Sequence, residues 1–425
     1  MDTNTIFALA SGHPPAAIAV VRVSGPRAHD AATRLARQLP PLRQASLRTL
    51  INPADGDVID QALLLRFDAP ASATGENIVE FHCHGGRAVV DALLGALAGI
   101  DGFRLAKPGE FTRRALANGR IDLTEAEGLA DLLEAETELQ RRIAMARAGG
   151  ALRARLDGWR DRLLSLSARA EVAIDYADEE EGLVELDLSD DLLDLCNDMS
   201  TLLAAPRVEP MREGIRVVVA GPPNAGKSSL INALTKIERS IVTAIPGTTR
   251  DIIEVPLAIE GAPFVLIDTA GLRDSDDEVE AIGIDRARAE LDRADIVLWL
   301  GPSERKPDHR NILQVAAKAD TGKSDDPCDV ATSSVTGQGL VELANMLVAR
   351  AKEILPWGSE VSLDRRQHDL VVEAEAAIHR ASQLGDPVLI AEELRIARYS
   401  VDRIGGRAGV EDLLDALFGR FCLGK

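Results

Sequence analysis

Residues 221–229, which read GPPNAGKSS, have the residue types and spacing of a phosphate-binding loop. They follow the apolar run Val217–Ala220 and precede a stretch with helical character. Backbone N–H groups of such a turn point into one concavity, and the helix that starts there adds the positive end of its dipole. Lys227 is placed to reach the β- and γ-phosphates, and the Ser228 hydroxyl to ligate Mg²⁺. The pattern predicts a nucleoside polyphosphate site.

Two further segments select the nucleotide. Phe264–Ile267 predicts a strand that ends in the run 268–271, DTAG, where a carboxylate can hold Mg²⁺ through water and a glycine N–H can meet a γ-phosphate. Lys318-Ala319-Asp320 follows another apolar stretch, Ile312–Ala317. Asp320 can accept both N–H groups on the guanine edge, which adenine does not offer, so an adenine ligand would leave a buried carboxylate unpaired. We therefore expect guanine.

The chain departs from the Ras-like pattern at two positions. Ras-like GTPases carry Asn-Lys-x-Asp, and here the first position is Ala317, so we expect a weaker base contact. They also place glutamine after D-x-x-G to orient the attacking water, and here that position is Leu272, which has no hydrogen-bonding group. Another group must position the water, and the acidic stretch Asp274–Glu280 follows directly.

The predicted first switch is Ile241–Asp251, in which Thr249 is placed to complete the Mg²⁺ shell. Asn224, inside the phosphate loop, has two readings. Its side-chain oxygen can ligate a monovalent cation that stabilises transition-state charge as an arginine finger does, or it can simply form the loop. The residues predicted to contact GTP are Asn224, Ala225, Gly226, Lys227, Ser228, Ser229, Thr243, Thr248, Thr249, Asp268, Thr269, Ala270, Gly271, Lys318 and Asp320.

Composition limits the class of protein. The length of 425 residues favours two to three domains, and no apolar run approaches membrane-spanning length. The first residues lack a signal-peptide pattern, and the four cysteines lack C-x-x-C spacing, which fits a reduced cytoplasmic protein without a membrane segment. The net charge of −20 argues against non-specific coating of nucleic acid. A restricted basic patch stays open, at Arg104, Lys107, Arg113, Arg114 and Arg120.

The pattern along the chain favours a nucleotide module inserted into a helical one. Strands such as Ile18–Val23 and Ile78–His82 alternate with helices in the first 118 residues. Helical periodicity starts at Thr124, which has capping-box spacing with Glu127, and resumes after the nucleotide module. The two helical stretches are expected to pack together. Residues 82–84 read HCH, which could suggest a zinc site. Strand alternation places the two histidines on one face and Cys83 on the other, so we expect no zinc site there.

Several motifs together resemble the MnmE (TrmE) family of tRNA modification GTPases. They are GENIVEFHCHGG (75–86), KPGEFTRRALANGRIDLTEAEGLADL (107–132), IPGTTRD, DTAGLR and the terminal C-x-G-K. The resemblance implies a multidomain α/β plus α protein with an N-terminal α+β folate-binding domain, an all-α helical domain and an inserted Ras-like P-loop GTPase domain. The implied ranges are 1–118 for the folate-binding and dimerisation domain, 119–210 and 356–425 for the helical domain, and 211–355 for the GTPase domain.

The resemblance also implies an activity and its partners. Members of the family are potassium-dependent homodimers that work with the flavoprotein MnmG to add an aminomethyl-type group, such as carboxymethylaminomethyl, to C5 of the wobble uridine in certain tRNAs. A tetrahydrofolate one-carbon unit, of the 5-formyl or methylene type, is the implied donor. Carried over by motif, the K⁺ ligands are Asn224, Thr243, Ile245 and Thr248. Mg²⁺ falls to Ser228 and Thr249, and the water-orienting carboxylate to Glu280.

For folate, the resemblance points to Arg22, Glu80, Arg120 and Lys425. A carboxylate at position 80 suits the amino-pyrimidine edge of a pterin, and basic groups suit a glutamate tail. Cys422 is a candidate for catalysis because Lys425 nearby would lower the pKa of its thiol, and its alternative is a small buried hydrophobic residue.

Two other classes of protein stay open at this stage. A ribosome-assembly switch GTPase of the Era or Der type would carry an RNA-binding module of KH type in a basic C-terminal region, which this sequence does not show. A folate-dependent enzyme with a regulatory GTPase would share the N-terminal domain but would not need MnmG.

Overall fold

The computed structural model describes residues 4–176, 187–237, 240–242, 253–268, 289–322, 326–357, 361–408, 414, 417–419, 421 and 424. Contacts group the described residues into two compact units, one that comprises residues up to 130 together with those from 405 onward, and one that comprises 131–404. The finer division at 118, 210 and 355 stays a prediction. In the described part of the chain, no helix combines the length and apolar character needed to cross a membrane.

The first unit is built on a six-stranded sheet with the order β3-β4-β5-β2-β1-β6, in which only β1 and β6 pair in parallel. Helices α1 and α2 pack on one face of it. The elements are β1 (Thr5–Leu9), β2 (Ala16–Ser24), α1 (Ala28–Ala36), β3 (Ser46–Ile51), β4 (Val58–Phe67), β5 (Ile78–Gly85), α2 (Arg87–Ala98), β6 (Phe103–Leu105), α3 (Glu110–Ala117) and α4 (Leu123–Glu134).

Strand alternation decides what each face of this sheet carries. On β5, Val79, Phe81 and Cys83 are buried under the helices, whereas His82 is half-buried and His84 exposed on the opposite face. The expected separation of Cys83 from the two histidines is confirmed. Burial raises the pKa of the Cys83 thiol, because the charged form would lose its water.

The predicted capping box of α4 is wrong by two residues. Asp122 caps this helix: its Oδ1 accepts the backbone N–H of Glu125 at 2.9 Å, and Glu125 Oε2 accepts the backbone N–H of Asp122 at 2.8 Å. Thr124 is already inside the helix, with its hydroxyl donating to Asp122. Asp122 is the cap because its carboxylate reaches the free N–H groups of the first turn. The apolar face of α4 packs against Leu417, Phe418 and Phe421.

The helical part of the second unit has one apolar core, which comes from stretches on both sides of the nucleotide module. Trp159 is its largest fully buried side chain, and the Asp198 carboxylate accepts the indole N–H at 2.5 Å. The expected packing of the two helical stretches is therefore confirmed. The helices are α5 (Glu138–Ala148), α6 (Ala151–Tyr176), α7 (Ser189–Leu203), α11 (Arg365–Ala381) and α12 (Pro387–Ile404).

The inserted module is a seven-stranded sheet with the order β13-β12-β11-β7-β10-β9-β8, in which β8, β9 and β10 pair antiparallel and the other neighbours in parallel. Helices α9 and α10 belong to the apolar core on one face. The elements are α8 (Glu209–Glu213), β7 (Ile215–Ala220), α9 (Lys227–Leu234), β8 (Ser240–Val242), β9 (Ile253–Ile259), β10 (Ala262–Asp268), β11 (Ile296–Trp299), β12 (Ile312–Ala316), β13 (Val330–Ala331) and α10 (Leu340–Ile354). The strands expected at Val217–Ala220 and Phe264–Ile267 are confirmed, and the apolar stretch that begins at Ile312 also forms a strand.

Candidate functional site: a phosphate loop and a base pocket at one sheet edge

The phosphate loop joins the central strand β7 to helix α9, as the sequence predicts. Asn224 and Gly226 both have positive φ, 60° and 98°, so the loop turns sharply and helix α9 starts at Lys227. Gly226 is required there, because only glycine adopts this conformation without strain. The loop therefore presents the start of a helix at the carboxyl edge of the parallel strands, where ligands bind in such sheets.

Lys227 is almost fully buried in this loop. Its ammonium group donates to the carbonyl oxygens of Gly221 and Pro222, both at 3.0 Å. These bonds hold the side chain folded over the loop. A phosphate that enters offers the ammonium group stronger, charged acceptors.

Ser228 and Asp268 meet at the same edge. The Ser228 hydroxyl donates to Asp268 Oδ2 at 2.5 Å, and Asp268 is buried at the end of β10. A hydroxyl and a carboxylate oxygen are the hard donors that Mg²⁺ prefers, and two protein groups beside phosphates and water are typical of its sites. The residues present therefore fit Mg²⁺.

The base pocket forms where β12 and β13 end. Lys318 has a φ of 62°, and its ammonium group donates to the Asn224 carbonyl oxygen at 2.7 Å, which ties this loop to the phosphate loop. The Ser333 hydroxyl donates to Asp320 Oδ1 at 2.6 Å. Asp320 thus keeps its second oxygen for a ligand. A carboxylate held in this way selects a base edge with two N–H donors.

Ser333 is a site residue that the sequence analysis missed. It is fully buried, and its oxygen also accepts the backbone N–H groups of Val335 and Thr336 at 3.2 and 3.1 Å. The available signal was a short apolar strand followed by Thr332-Ser333-Ser334, since the carboxyl ends of neighbouring parallel strands meet at one edge.

An open cleft of about 320 Å³ lies beside the phosphate loop. It is lined by loop residues including Asn224 and Ala225, by the end of β11, by Ala317 and Lys318, and by Cys328. Ala317 contributes only a methyl group where an asparagine amide was expected from the Ras-like pattern. Ser229 is an exposed residue of the first turn of α9.

In the first unit, the structure brings two of the predicted folate residues together. The Arg22 Nε donates to Glu80 Oε1 at 2.9 Å, across the β2–β5 pair in which these residues lie opposite each other. The Arg22 guanidinium also lies 5.8 Å from the Phe111 ring centroid. Arg120 contacts another segment, where its Nε donates to the Ser72 carbonyl oxygen at 3.1 Å.

Two of the five basic residues between 104 and 120 pair with carboxylates. Arg104 pairs with Glu110 at 2.6 Å, and Arg114 pairs with both Glu110, at 3.2 Å, and Glu76, at 3.0 Å. Burial opposes the ionised form of Glu110, but hydrogen bonds from Arg104 and the Lys107 backbone outweigh it and lower the pKa of this carboxyl. Arg104 and Arg114 therefore serve internal contacts of the domain, and a basic patch that includes Lys107, Arg113 and Arg120 stays a prediction.

Ten predicted site residues lie outside the described part of the chain. Their roles stay predictions. They are Thr243, Ile245, Thr248, Thr249, Thr269, Ala270, Gly271, Glu280, Cys422 and Lys425.

Comparison with known proteins agrees with this architecture. The family model described as the GTP-binding protein TrmE N-terminus matches residues 5–120, and the one described as the MnmE helical domain matches residues 123–422. Proteins named tRNA modification GTPase MnmE match throughout: that of Novosphingobium aromaticivorans is 50% identical over 100% of both chains. Those of Erythrobacter litoralis and Rhizorhabdus wittichii are 50% and 51% identical, over 99% and 100% of this chain and 100% and 97% of their own.

The sheet order, the phosphate loop and the Ser228–Asp268 pair beside it define a P-loop GTPase module within a multidomain α/β plus α protein. The full-length matches are more specific. The chain belongs to the MnmE family of tRNA modification GTPases.

Proposed function

We propose that this chain hydrolyses GTP and that its GTP cycle drives modification of the wobble uridine in certain tRNAs, in partnership with the flavoprotein MnmG. The observation that carries the GTPase part is the convergence of Lys227, Ser228, Asp268 and Asp320 on one sheet edge. The tRNA part rests on relatives that are named for it and match the whole chain. Those matches favour this function over a ribosome-assembly switch.

Within the site, each described residue has one task. Bound Mg²⁺ would supply charge neutralisation at the β- and γ-phosphates, with Ser228 as a direct ligand and Asp268 holding the ion through water. Lys227 would exchange its two carbonyl acceptors for phosphate oxygens. Asp320, oriented by Ser333, would hold the guanine edge. Catalysis by such a site comes from positioning and from electrostatic stabilisation of the transferred group.

The hydrolytic step is proposed to depend on K⁺ and on pairing of two GTPase modules in a homodimer. Asn224 supports this proposal by its place: it is exposed, at the tip of the phosphate loop, with its backbone in the left-handed region. Its side-chain oxygen would join Thr243, Ile245 and Thr248 as ligands. Glu280 would orient the attacking water in place of the absent glutamine.

The first unit is proposed to bind a tetrahydrofolate derivative. The Arg22–Glu80 pair lies on the sheet face opposite the helices, with the side chains 25% and 14% exposed. Arg22 holds Glu80 Oε1, and His82 Nε2 lies 3.4 Å from Oε2, so a pterin edge that binds Oε2 would share this oxygen with His82 or displace it. Arg120 and Lys425 would neutralise the tail of the folate, and Cys422 would act in the one-carbon chemistry.

A potassium-against-sodium comparison tests the GTPase proposal most directly. We expect faster GTP hydrolysis in KCl than in NaCl at equal ionic strength, and Asn224→Ala is expected to remove the difference while GDP binding persists. Equal rates of the unaltered chain in both salts would refute the K⁺ assignment. The tRNA proposal is tested by complementation of a strain that lacks wobble-uridine modification, read by mass spectrometry of tRNA nucleosides. Unmodified uridine despite active GTP hydrolysis would refute it.

A further inference from the structure

The inserted module joins the helical bundle through two adjacent segments, which we call the neck: Val208–Glu213 on entry and Leu363–Arg365 on exit. The Val208 N–H donates to the Leu363 carbonyl oxygen at 3.1 Å, and the Arg365 N–H donates to the Glu209 carboxylate. The two segments are therefore held side by side. A rotation of the inserted module relative to the helical bundle would therefore have to move these two segments.

Four charged side chains form a continuous ion chain at the neck, in the order Arg212, Asp131, Arg147, Asp364. Arg212 binds both oxygens of Asp131, with Nε 2.6 Å from Oδ1 and Nη2 2.8 Å from Oδ2. Arg147 lies 3.2 Å from Asp131 and 3.6 Å from Asp364. The four residues come from α8, α4, α5 and the N-cap of α11, so the chain connects four separate segments.

Because these side chains are buried, the charged partners of the ion chain are costly to separate. The Arg147 side chain is 1% exposed, and those of Asp131 and Asp364 are 9% and 10% exposed. The two positive and two negative charges cancel, and separating buried partners would leave an uncompensated charge in a medium that screens it poorly. Asp364 also caps α11, where its Oδ1 accepts the Gln367 backbone N–H at 2.9 Å. The direction of α11 is therefore tied to the same charges.

Helix α5 connects the ion chain to the strands that end at the nucleotide site. Gln140 Nε2 donates to the Met211 carbonyl oxygen at 2.9 Å, and Ile143 lies in the same apolar core as Ile215 and Phe264. Ile215 begins β7, which leads into the phosphate loop, and β10 ends at the Mg²⁺ candidate Asp268. The ion chain and the nucleotide site thus lie at opposite ends of the same two strands, and packed cores shift between discrete arrangements rather than deform freely.

A cavity of about 40 Å³ lies beside the Arg212–Asp131 pair of the ion chain, and it gives the Arg212 side chain space to move. Asp131, Gln140, Met211 and Arg212 are among the residues that line it. That volume accommodates a water molecule, and the charged groups on its wall offer the polar partners that a buried water needs. Arg212 can therefore shift towards or away from Asp131 without leaving a dry, unpaired carboxylate.

We propose that Arg147, held between Asp131 and Asp364, is a positioning residue that couples the nucleotide state of the GTPase module to helices α5 and α11. The inference rests on the proposed function, because it supplies the path by which GTP turnover would reach the rest of the enzyme. Arg147 is not one of the residues of the nucleotide site, and its ion-pair partners are Asp131 and Asp364, so it acts through the strands and helices that these partners hold.

The test is hydrogen–deuterium exchange of the full chain with and without the GTP analogue GMPPNP, in KCl. In the unaltered chain we expect the analogue to change the exchange of amides in 138–148 and 365–381 by about tenfold. In Arg147→Met, which keeps bulk and removes charge, that response is expected to vanish while the affinity for GMPPNP stays within about twofold, since the nucleotide site is untouched. The matched control is Arg155→Met, which removes another arginine–aspartate pair, with Asp198, in the same bundle but away from the neck.

If Arg147→Met only loosened packing, amide exchange would rise both with and without GMPPNP, and the change caused by GMPPNP would remain. If Arg147 couples the two parts, the change caused by GMPPNP disappears. If Arg147→Met does not fold, Arg212→Met replaces it, because that side chain is 26% exposed and ends the ion chain. A response retained in the folded neck variant, or absent from the unaltered chain with analogue bound, overturns the proposal. Failure of the proposed function is seen separately, as lack of GTP hydrolysis or of tRNA modification, because the exchange readout needs only a bound nucleotide.

Discussion

Ser333→Ala tests the geometry of the base pocket. The hydroxyl of this fully buried serine donates to Asp320 Oδ1 at 2.6 Å and accepts two backbone N–H groups. Its removal frees the Asp320 carboxylate to rotate and leaves both N–H groups without this acceptor. A hydrogen bond to a charged group contributes about 1.5–3 kcal/mol, so guanine nucleotide affinity should fall roughly 10- to 150-fold if the whole of that orientation is lost.

The assay is titration with a fluorescent GDP analogue at constant Mg²⁺, with competition by ATP to measure base selectivity. Selectivity for guanine should fall together with affinity, because the carboxylate no longer faces the base edge in a fixed position. Thr336→Ala is the matched control, because its hydroxyl accepts the Gln338 N–H, at 3.4 Å, in the same turn. Unchanged GDP affinity and selectivity in Ser333→Ala, with the control also unchanged, would refute the assignment of Ser333 as the residue that orients Asp320.

Three further predictions follow from other sites. Asp320→Asn should weaken GTP binding and raise the relative affinity for xanthosine triphosphate, whose base presents an acceptor to the new amide; competition titration measures both. Burial disfavours the ionised form of Asp60, but hydrogen bonds from the backbone N–H and the ring of His84 outweigh it and lower the pKa of Asp60 below 3.8. The ionised carboxylate therefore stabilises the folded state fully above the unfolded-state pKa, and this stabilisation is lost as the pH falls through the lower folded-state pKa. Asp60→Asn should therefore reduce the acid dependence of urea unfolding below about pH 4. Gly339→Ala should lower the stability of the folded protein far more than Gly337→Ala. Both glycines have positive φ, but a Cβ at 339 would lie 2.0 Å from the Ala331 carbonyl oxygen, whereas a Cβ at 337 would meet no atom within 4 Å. Thermal unfolding of the two variants measures the difference.

The sequence was sufficient where a motif fixes the backbone. The phosphate loop, its flanking strand and the strand before Asp268 lie where the spacing predicts, since glycine conformation and strand alternation are local properties. The capping box of α4 was misplaced because two candidate acceptors lie two residues apart, and only the observed geometry shows that Asp122 reaches the free N–H groups.

Pairings between distant residues could not be read from the sequence. Arg104 and Arg114 look like a basic patch in a linear list, yet Glu76 and Glu110 neutralise them in the folded domain. Ser333 was missed because its role depends on Asp320, 13 residues away, and on the meeting of two strand ends. The ion chain at the neck is similar, because Asp131 and Asp364 are brought together only by tertiary packing.

The folded position of Lys227 has an energetic consequence for nucleotide binding. Phosphate oxygens would have to displace the carbonyl oxygens of Gly221 and Pro222, each 3.0 Å from the ammonium group, so the loss of two internal hydrogen bonds offsets part of the gain from the new charged contacts. The contribution of this lysine to nucleotide affinity is therefore smaller than its charge alone would suggest.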